Sequence, residues 1–276
     1  MDLPRASTAL SRIWIIGPGF LGSALAQSCR ADGMDVLTIG PEQADVTGDA
    51  SEPAVLKQAL AQLEPELVYC CAATHGGGVE AYRRCYPELV RSVCAVVRAR
   101  LVFCSSSSVY GGTDGSAADE SSPCLASGER ARVLLEAESL VQEAGGIVAR
   151  LVPLYAEGRF ELLRRHVAGE PRLAGGEERL LNYVHRDDAV AALRLMASLP
   201  GGTYNVSGDC FTLGEAYAML ESLTGIPRRA AQSAASCRGQ SSRRVVADKL
   251  CANGWHPHGT VRDFVASQLG RLEQWR

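Results

Sequence analysis

Several things are scarce in this chain of 276 residues, and each scarcity narrows its chemistry. No apolar run approaches the roughly 20 residues needed to span a membrane. The N-terminal MDLPRASTALSR lacks the long apolar segment of a secretory signal, so a cytoplasmic location is expected. Aromatic residues make up 6%, too few for a platform on which single-stranded bases stack. Net charge is −3, so neither nucleic acid nor an anionic membrane is invited in bulk. Ten cysteines are present, yet none are spaced C-x-x-C. Several lie in apolar runs such as Val68-Tyr69-Cys70-Cys71, where they read as small buried residues and not as zinc ligands or a disulfide frame. Lysine is the rarest basic residue: only Lys57 and Lys249 stand among 28 lysines and arginines.

What is present is a core-forming composition, 46% apolar and 21% charged, in a length suited to one large α/β domain or to a nucleotide-binding domain with a smaller partner. The most informative stretch is Arg12 to Gly22, RIWIIGPGFLG. An apolar run meets the spacing G-x-G-x-x-G and passes into the helix-like SALAQSCRA. Gly17 allows a tight turn out of the strand, Gly19 lets a pyrophosphate approach the backbone, and Gly22 lets the helix pack closely on the strand. The helix N-terminus, opening at Phe20-Leu21, then offers unpaired N–H groups to phosphate. A dinucleotide is the ligand this pattern implies.

Beyond this turn, strand and helix alternate. Strands are predicted at Met34–Ile39, Leu67–Cys71, Leu101–Cys104 and Ile147–Leu151. Helices are predicted at Leu21–Ala31, Ser51–Leu63 (capped by Ser51, with Pro53 in its first turn), Tyr82–Arg98 and Glu129–Ala144. The alternation predicts a Rossmann-like, doubly wound parallel sheet with a smaller C-terminal substrate-side region. The division expected is a nucleotide-binding domain over 1–150 and a substrate region over 151–276, partly interleaved with it. In the second half, Asp187 or Asp188 is expected to cap a helix, as is Thr212, and a last helix begins near Thr260. Arg228–Arg244 reads as a polar loop or flap.

About 20 residues past the glycines, a Rossmann unit that binds NAD places an acid against the ribose. Leu37-Thr38-Ile39-Gly40 stands there instead, which removes a repulsion against a 2′-phosphate and tips the expectation from NAD toward NADP. His75-Gly76-Gly77-Gly78 after the next strand reads equally as a ligand-approaching loop or a turn. Ser105–Ser108 has no G-x-S-x-G around it, and the glycine loop lacks a G-K-[ST] ending, so neither a hydrolase elbow nor a P-loop is present. His185-Arg186-Asp187-Asp188 and His256-Pro257-His258 lack a supporting ligand set, so no metal site is expected.

An ordered series of segments resembles the extended or atypical short-chain dehydrogenases/reductases of the NAD-dependent epimerase/dehydratase type. These are Gly17–Gly22, Asp45-Val46-Thr47, Cys71-Ala72-Ala73, Val102–Gly111 (VFCSSSSVYG), Arg150–Arg159, Asn182–Asp188, Tyr204–Asp209 and Leu250–Pro257. The resemblance implies that Gly17, Gly19 and Gly22 hold the pyrophosphate. It implies that Asp45 and Val46 meet the adenine, and that Ala72 and Ala73, leading into Thr74, line the cofactor path. It places the substrate-polarising serine at Ser106. It also implies a small-molecule substrate, commonly a nucleotide sugar, and a homodimer through the helices at Tyr82–Arg98 and Glu129–Ala144.

One departure bears on activity. The family moves its proton with a tyrosine and a lysine one helical turn apart, Y-x-x-x-K, the lysine charge lowering the tyrosine pKa. The matching positions here are Ser127 and Ala131. Neither lysine rescues the spacing, because Pro53 stands four residues before Lys57 and Val245 four before Lys249. Tyr110, His75 and His185 are the candidates for a substitute acid/base, and Arg130 or Arg132 for the lost charge. Three readings follow: an enzyme of this type with a substitute group, a sensor or regulatory subunit that binds NAD(P) without turnover, and a scaffold that has lost the cofactor.

Overall fold

The computed structural model describes residues 10–74, 76–125, 127–171, 173, 176–229 and 242–276. The candidate His75 and most of the loop expected at Arg228–Arg244 lie outside the described residues.

The first strand, β1 (Arg12–Ile16), buries Ile13 to Ile16 and leads through the glycine turn into α1 (Phe20–Ala31). Next come β2 (Asp35–Gly40), β3 (Val46–Thr47), α2 (Pro53–Gln62) and β4 (Leu67–Cys70). The helix expected at Tyr82–Arg98 is there but broken: α3 (Val79–Arg83) passes through one π-helical stretch, Arg84–Glu88, into α4 (Leu89–Val96). Pro87 lies inside that stretch and has no N–H to give, so a wider turn takes the place of an α-turn. Strand β5 (Arg100–Ser106), a two-residue β6 (Ala117–Ala118), α5 (Glu129–Glu143) and β7 (Ile147–Leu151) complete the alternation.

Seven strands form one sheet in the order β10-β7-β5-β4-β1-β2-β3, with β10 at Gly202–Val206. The pairs β1–β2, β1–β4, β2–β3 and β4–β5 are all parallel. The chain steps from β1 to β2 on one side and returns to β4 on the other. That reversal opens a crevice beyond the carboxyl ends of β1 and β4, the place where ligands bind in such sheets. The fold is therefore the Rossmann-like α/β class.

The remaining elements are β8 (Leu154–Tyr155), α6 (Glu161–Val167), β9 (Leu180–His185), α7 (Arg186–Met196), β11 (Asp209–Thr212), α8 (Leu213–Thr224), β12 (Arg244–Val245), α9 (Asp248–Cys251) and α10 (Val261–Gln268). Strands β11, β9 and β8 make a second small sheet, and β12 pairs with β6. By contacts the chain divides into two compact units: Met1–Cys104, Glu136–Val148 and Leu199–Gly202 in the first; Ser105–Leu135, Ala149–Ser198 and Thr203–Arg276 in the second. The first unit is packed around Trp14, Ile15, Leu25, Leu56 and Tyr69. The second has an aromatic-rich core of Tyr155, Phe160, Leu163, Tyr217, Leu220 and Trp275. Among the described residues, no helix is long and apolar enough to cross a membrane.

Of the expected caps, Thr212 closes a capping box with Glu215; Thr260, at the expected start of the last helix, accepts the Asp263 N–H. Glu52, not Ser51, precedes α2, because Ser51 is bound to the Asp49 carboxylate. At α7 the cap is His185, whose ring nitrogen accepts the Asp187 N–H, while Asp187 and Asp188 lie in the first turn.

Candidate functional site

In the first unit, the glycine turn meets each steric demand made by its spacing. Gly17 has φ +88°, and its N–H donates to the Ile39 carbonyl at 2.8 Å. A Cβ there would lie 2.5 Å from the backbone of Ala72. A Cβ on Gly22 would run into the Gly17 carbonyl oxygen and sit 3.3 Å from Ile15. Gly19 differs from both: a Cβ there would meet nothing within 4 Å, and the residue is exposed. Gly17 and Gly22 thus serve the chain's own packing, while Gly19 keeps open space above the backbone. Gly19 precedes α1 without any side-chain cap, and no acid stands in the first turn. The helix end is left as an N–H-rich, positively polarised surface, which suits a phosphate. Phe20 begins the helix half-buried, and Leu21 is buried beneath it.

Beside this turn lies a cavity of about 550 Å³. Ile16 and Gly17 from β1 and Ala72 and Ala73 after β4 line it. So do Ile39 and Gly40 at the end of β2, Pro41 just beyond it, and Gly48 to Ser51 after β3. The wall opposite is helical: Glu80 and Ala81 of α3, Arg84, Cys85 and Glu88 of the π-helical stretch, and Leu89. The wide turn at Pro87 therefore falls in a cavity wall, a placement common for π-bulges at binding sites. Asp49 accepts the Ser51 N–H and hydroxyl at 2.9 and 2.7 Å, and the Arg84 guanidinium stands 3.9 Å from its other oxygen. Burial, with Asp49 nearby, raises the Cys85 thiol to about 11, so it is neutral.

Of the residues expected to touch a dinucleotide, the cavity gathers Gly17, Ala72 and Ala73. Asp45, outside the cavity lining, is held by its neighbours. Its carboxylate accepts the Thr38 N–H (2.8 Å), the Thr38 hydroxyl (2.7 Å) and the Arg30 guanidinium (2.7 Å). Burial works against its charge, but these donors outweigh burial and hold the carboxyl below its usual range. Val46 is buried in β3 opposite Ile39. Thr74 hydrogen-bonds Tyr86.

In the second unit, Ser106 ends β5 half-buried, and its hydroxyl accepts the Ser108 N–H at 3.2 Å, opening a 3₁₀ turn over Ser107–Tyr110. Tyr110 is fully buried. Its hydroxyl donates to Asn205 Oδ1 at 2.7 Å, and Arg150 lies 4.9 Å from its ring centre. Asn205 in turn donates to the Val246 carbonyl and, through its backbone, to Glu120. Burial raises the Tyr110 pKa despite Arg150 and Asn205. This tyrosine, buried and bonded to Asn205, joins segments of the unit. His185 is occupied as the α7 cap, its ring 5.2 Å from that of Tyr155. Ser127 is exposed just ahead of α5, and Arg130 and Arg132 are exposed on the first turn of that helix. Among the described residues, no group of three or more His, Cys, Asp or Glu side chains is placed to hold a metal.

Sequence reasoning missed the helical wall and the Gly48–Ser51 segment. Gly48 was the sign available for that segment, and the structure holds it at φ +154° with Val55 against it.

The same architecture recurs in solved structures. The UDP-glucose 4-epimerase of Thermus thermophilus, in complex with NAD, superposes with a TM-score of 0.81 at 19% identity, covering 95% of this chain and 99% of that one. MoeE5, in complex with UDP-glucose and NAD, gives 0.77 at 23% identity, with 94% and 97% covered. Bacillus anthracis dTDP-glucose 4,6-dehydratase, in complex with NAD, gives 0.79 at 16% identity, with 95% and 97% covered. In sequence, Protein YeeZ of Escherichia coli (strain K12) is 31% identical over 219 residues, which is 71% of this chain and 77% of the relative. The family model described as "NAD dependent epimerase/dehydratase family" matches residues 13–207, and the chain is a member of that family.

Proposed function

We propose that the first unit binds a nicotinamide dinucleotide and that the chain is an atypical oxidoreductase or epimerase/dehydratase-like enzyme. Its substrate would be a sugar-nucleotide or a small carbonyl/hydroxyl compound. The observation that carries this reading is the glycine turn. Two glycines are consumed by packing, while Gly19 and an uncapped helix end stay open beside a cavity of about 550 Å³. In this reading Gly17, Gly19 and Gly22 cradle the pyrophosphate, and Ala72 and Ala73 flank the path of the nicotinamide half. Gly40-Pro41 and Asp49 to Ser51 take the adenosine half, the part first assigned to Asp45 and Val46. Gly40 at the end of β2 brings no carboxylate to the ribose, which favours NADP. The named ligands of the structural neighbours, NAD in all three and UDP-glucose with it in MoeE5, agree in class.

When bound, the dinucleotide supplies hydride exchange. The protein's part would be to orient the substrate and polarise its oxygen through the Ser106 hydroxyl. A second reading, binding without turnover, is favoured by Ser127 and Ala131 standing where the tyrosine and lysine are expected. Loss of that dyad removes general acid–base help worth typically ~10²–10⁴-fold. A homodimer through α3–α4 and α5 belongs to the same proposal.

Fluorescence titration with NADPH and NADH tests the binding half; saturation by at least one is expected, and saturation by neither would overturn both readings. Turnover of keto-sugar or sugar-nucleotide substrates then separates enzyme from sensor. In an active protein Ser106→Ala should abolish the reaction with cofactor affinity unchanged. Undiminished turnover would show that Ser106 is misassigned.

A further inference from the structure

Strands β4 and β5 run parallel with Cys70 beside Phe103, and the residues that follow, Cys71 just past β4 and Cys104 within β5, come side by side. Their sulfur atoms are 3.6 Å apart. Neighbouring strands lie about 4.8 Å apart, inside the roughly 4.4–6.8 Å between Cα atoms that a disulfide bridges. Closing the sulfurs to the bonded distance of about 2.0 Å asks for about 1.6 Å of movement, within reach of small side-chain rotations. Both thiols are half-buried, whereas Cys70 is fully buried.

The pair sits directly beneath the glycine turn. The Cys71 N–H donates to the Ile16 carbonyl at 2.8 Å, and the Cys71 carbonyl carbon would lie 2.9 Å from a Cβ on Gly17. The residues that follow, Ala72 and Ala73, line the cavity. Cys71, just past β4, therefore directly precedes the residues that line the cavity.

We propose that Cys71 and Cys104 are an oxidisable dithiol, closed to a disulfide by a peroxide and reopened by a small dithiol, and that closure weakens ligand binding in the cavity. The first part stands on the strand geometry alone; the second rests on the dinucleotide reading above. The chemistry balances in two steps. The Cys104 sulfur attacks one peroxide oxygen, the O–O bond breaks, water leaves, and a sulfenic acid forms. The Cys71 sulfur then attacks the Cys104 sulfur, the S–O bond breaks, and a second water carries away the thiol proton. The peroxide is reduced and the two thiols are oxidised by two electrons. The Cys71 thiol is pushed well above the ordinary thiol range by its hydrogen bond to Cys104 and by burial, which makes it a poor first nucleophile.

The test uses the full chain, treated with hydrogen peroxide, alkylated under denaturing conditions and digested with trypsin without reductant. Cleavage places Cys71 in the peptide Gln58–Arg83 and Cys104 in Leu101–Arg130, which also hold Cys70 and Cys124. The expected product is these two peptides joined with the loss of two hydrogens, with fragment ions locating the bond at Cys71 and Cys104. Cys70→Ala and Cys124→Ala should keep the link, and Cys104→Ser should remove it. Alkylated Cys71 and Cys104 after oxidation, or a link through Cys70 or Cys124, would overturn the dithiol. Titration of oxidised and reduced protein with NADPH should show affinity about tenfold weaker or worse when oxidised, restored by dithiothreitol. Equal affinity in the two states would overturn the control of binding. Absence of binding in the reduced protein would instead count against the dinucleotide reading, while the peptide map still decides the dithiol.

Discussion

The glycine turn at 17–22 and the serine-rich strand end at 105–111 both follow the family pattern, yet they serve different needs. At the turn, the chain's own packing demands Gly17 and Gly22, while a Cβ on Gly19 would meet open space. At the strand end, Tyr110 is drawn into a buried hydrogen bond with Asn205, while Ser106 and Ser107 are half-buried and Ser108 is exposed. A motif can therefore persist for architecture as readily as for chemistry. The two regions can be told apart by which substitutions cost stability and which cost binding.

The largest effect is expected at Gly22. A side chain there collides with the Gly17 backbone, which cannot yield without moving the turn. Gly22→Val should cost about 3 kcal/mol or more in urea unfolding and abolish saturable dinucleotide binding. A folded variant that binds as the wild type does would break the assignment of the cradle. Tyr110→Phe comes next. It leaves Asn205 Oδ1 buried without its donor, so a loss of about 1–3 kcal/mol is expected, with cofactor affinity unchanged. Full stability together with lost turnover would return Tyr110 to the chemistry. Gly19→Ala should behave in the opposite way. Its φ of −84° suits any residue and the space is open, so stability should stay within about 0.5 kcal/mol. Dinucleotide affinity should fall about tenfold, because the methyl group stands where phosphate would approach.

What the sequence made legible follows the same division. The strand–glycine–helix turn was readable because its constraints are local, and alternation of strand and helix was enough for a parallel α/β sheet. Thr212 was readable as a cap, and the start of the last helix near Thr260, for the same reason. The cavity was only partly readable, since its wall comes back from α3 and the π-helical stretch, some 65 residues beyond the glycines. Pro87 inside an apolar periodic run was the available sign that this helix is not regular. His185 was read as an acid/base candidate, but a ring nitrogen can cap a helix as a carboxylate does, and here it does so ahead of Asp187. Tyr110 could not be judged from its neighbours, because its partner lies 95 positions away.

Asp45 offers the smallest and most discriminating test. The resemblance assigned it to the adenine, whereas the structure ties it to Thr38 and Arg30. Its folded-state pKa is depressed below the unfolded value, so the stabilisation is present above the unfolded pKa, about 3.9, and is lost as pH falls through the folded value. Because the pair is nearly half exposed, solvent screens it, and Asp45→Asn should cost less than about 1 kcal/mol at neutral pH. The gap between the two proteins should narrow with added salt and vanish in acid, as followed by urea unfolding across pH. Dinucleotide affinity should be unchanged by the substitution. If affinity falls while the stability gap stays small, Asp45 contacts the ligand after all, and the adenosine half lies closer to the β2–β3 turn than Gly40 and Ser51 place it.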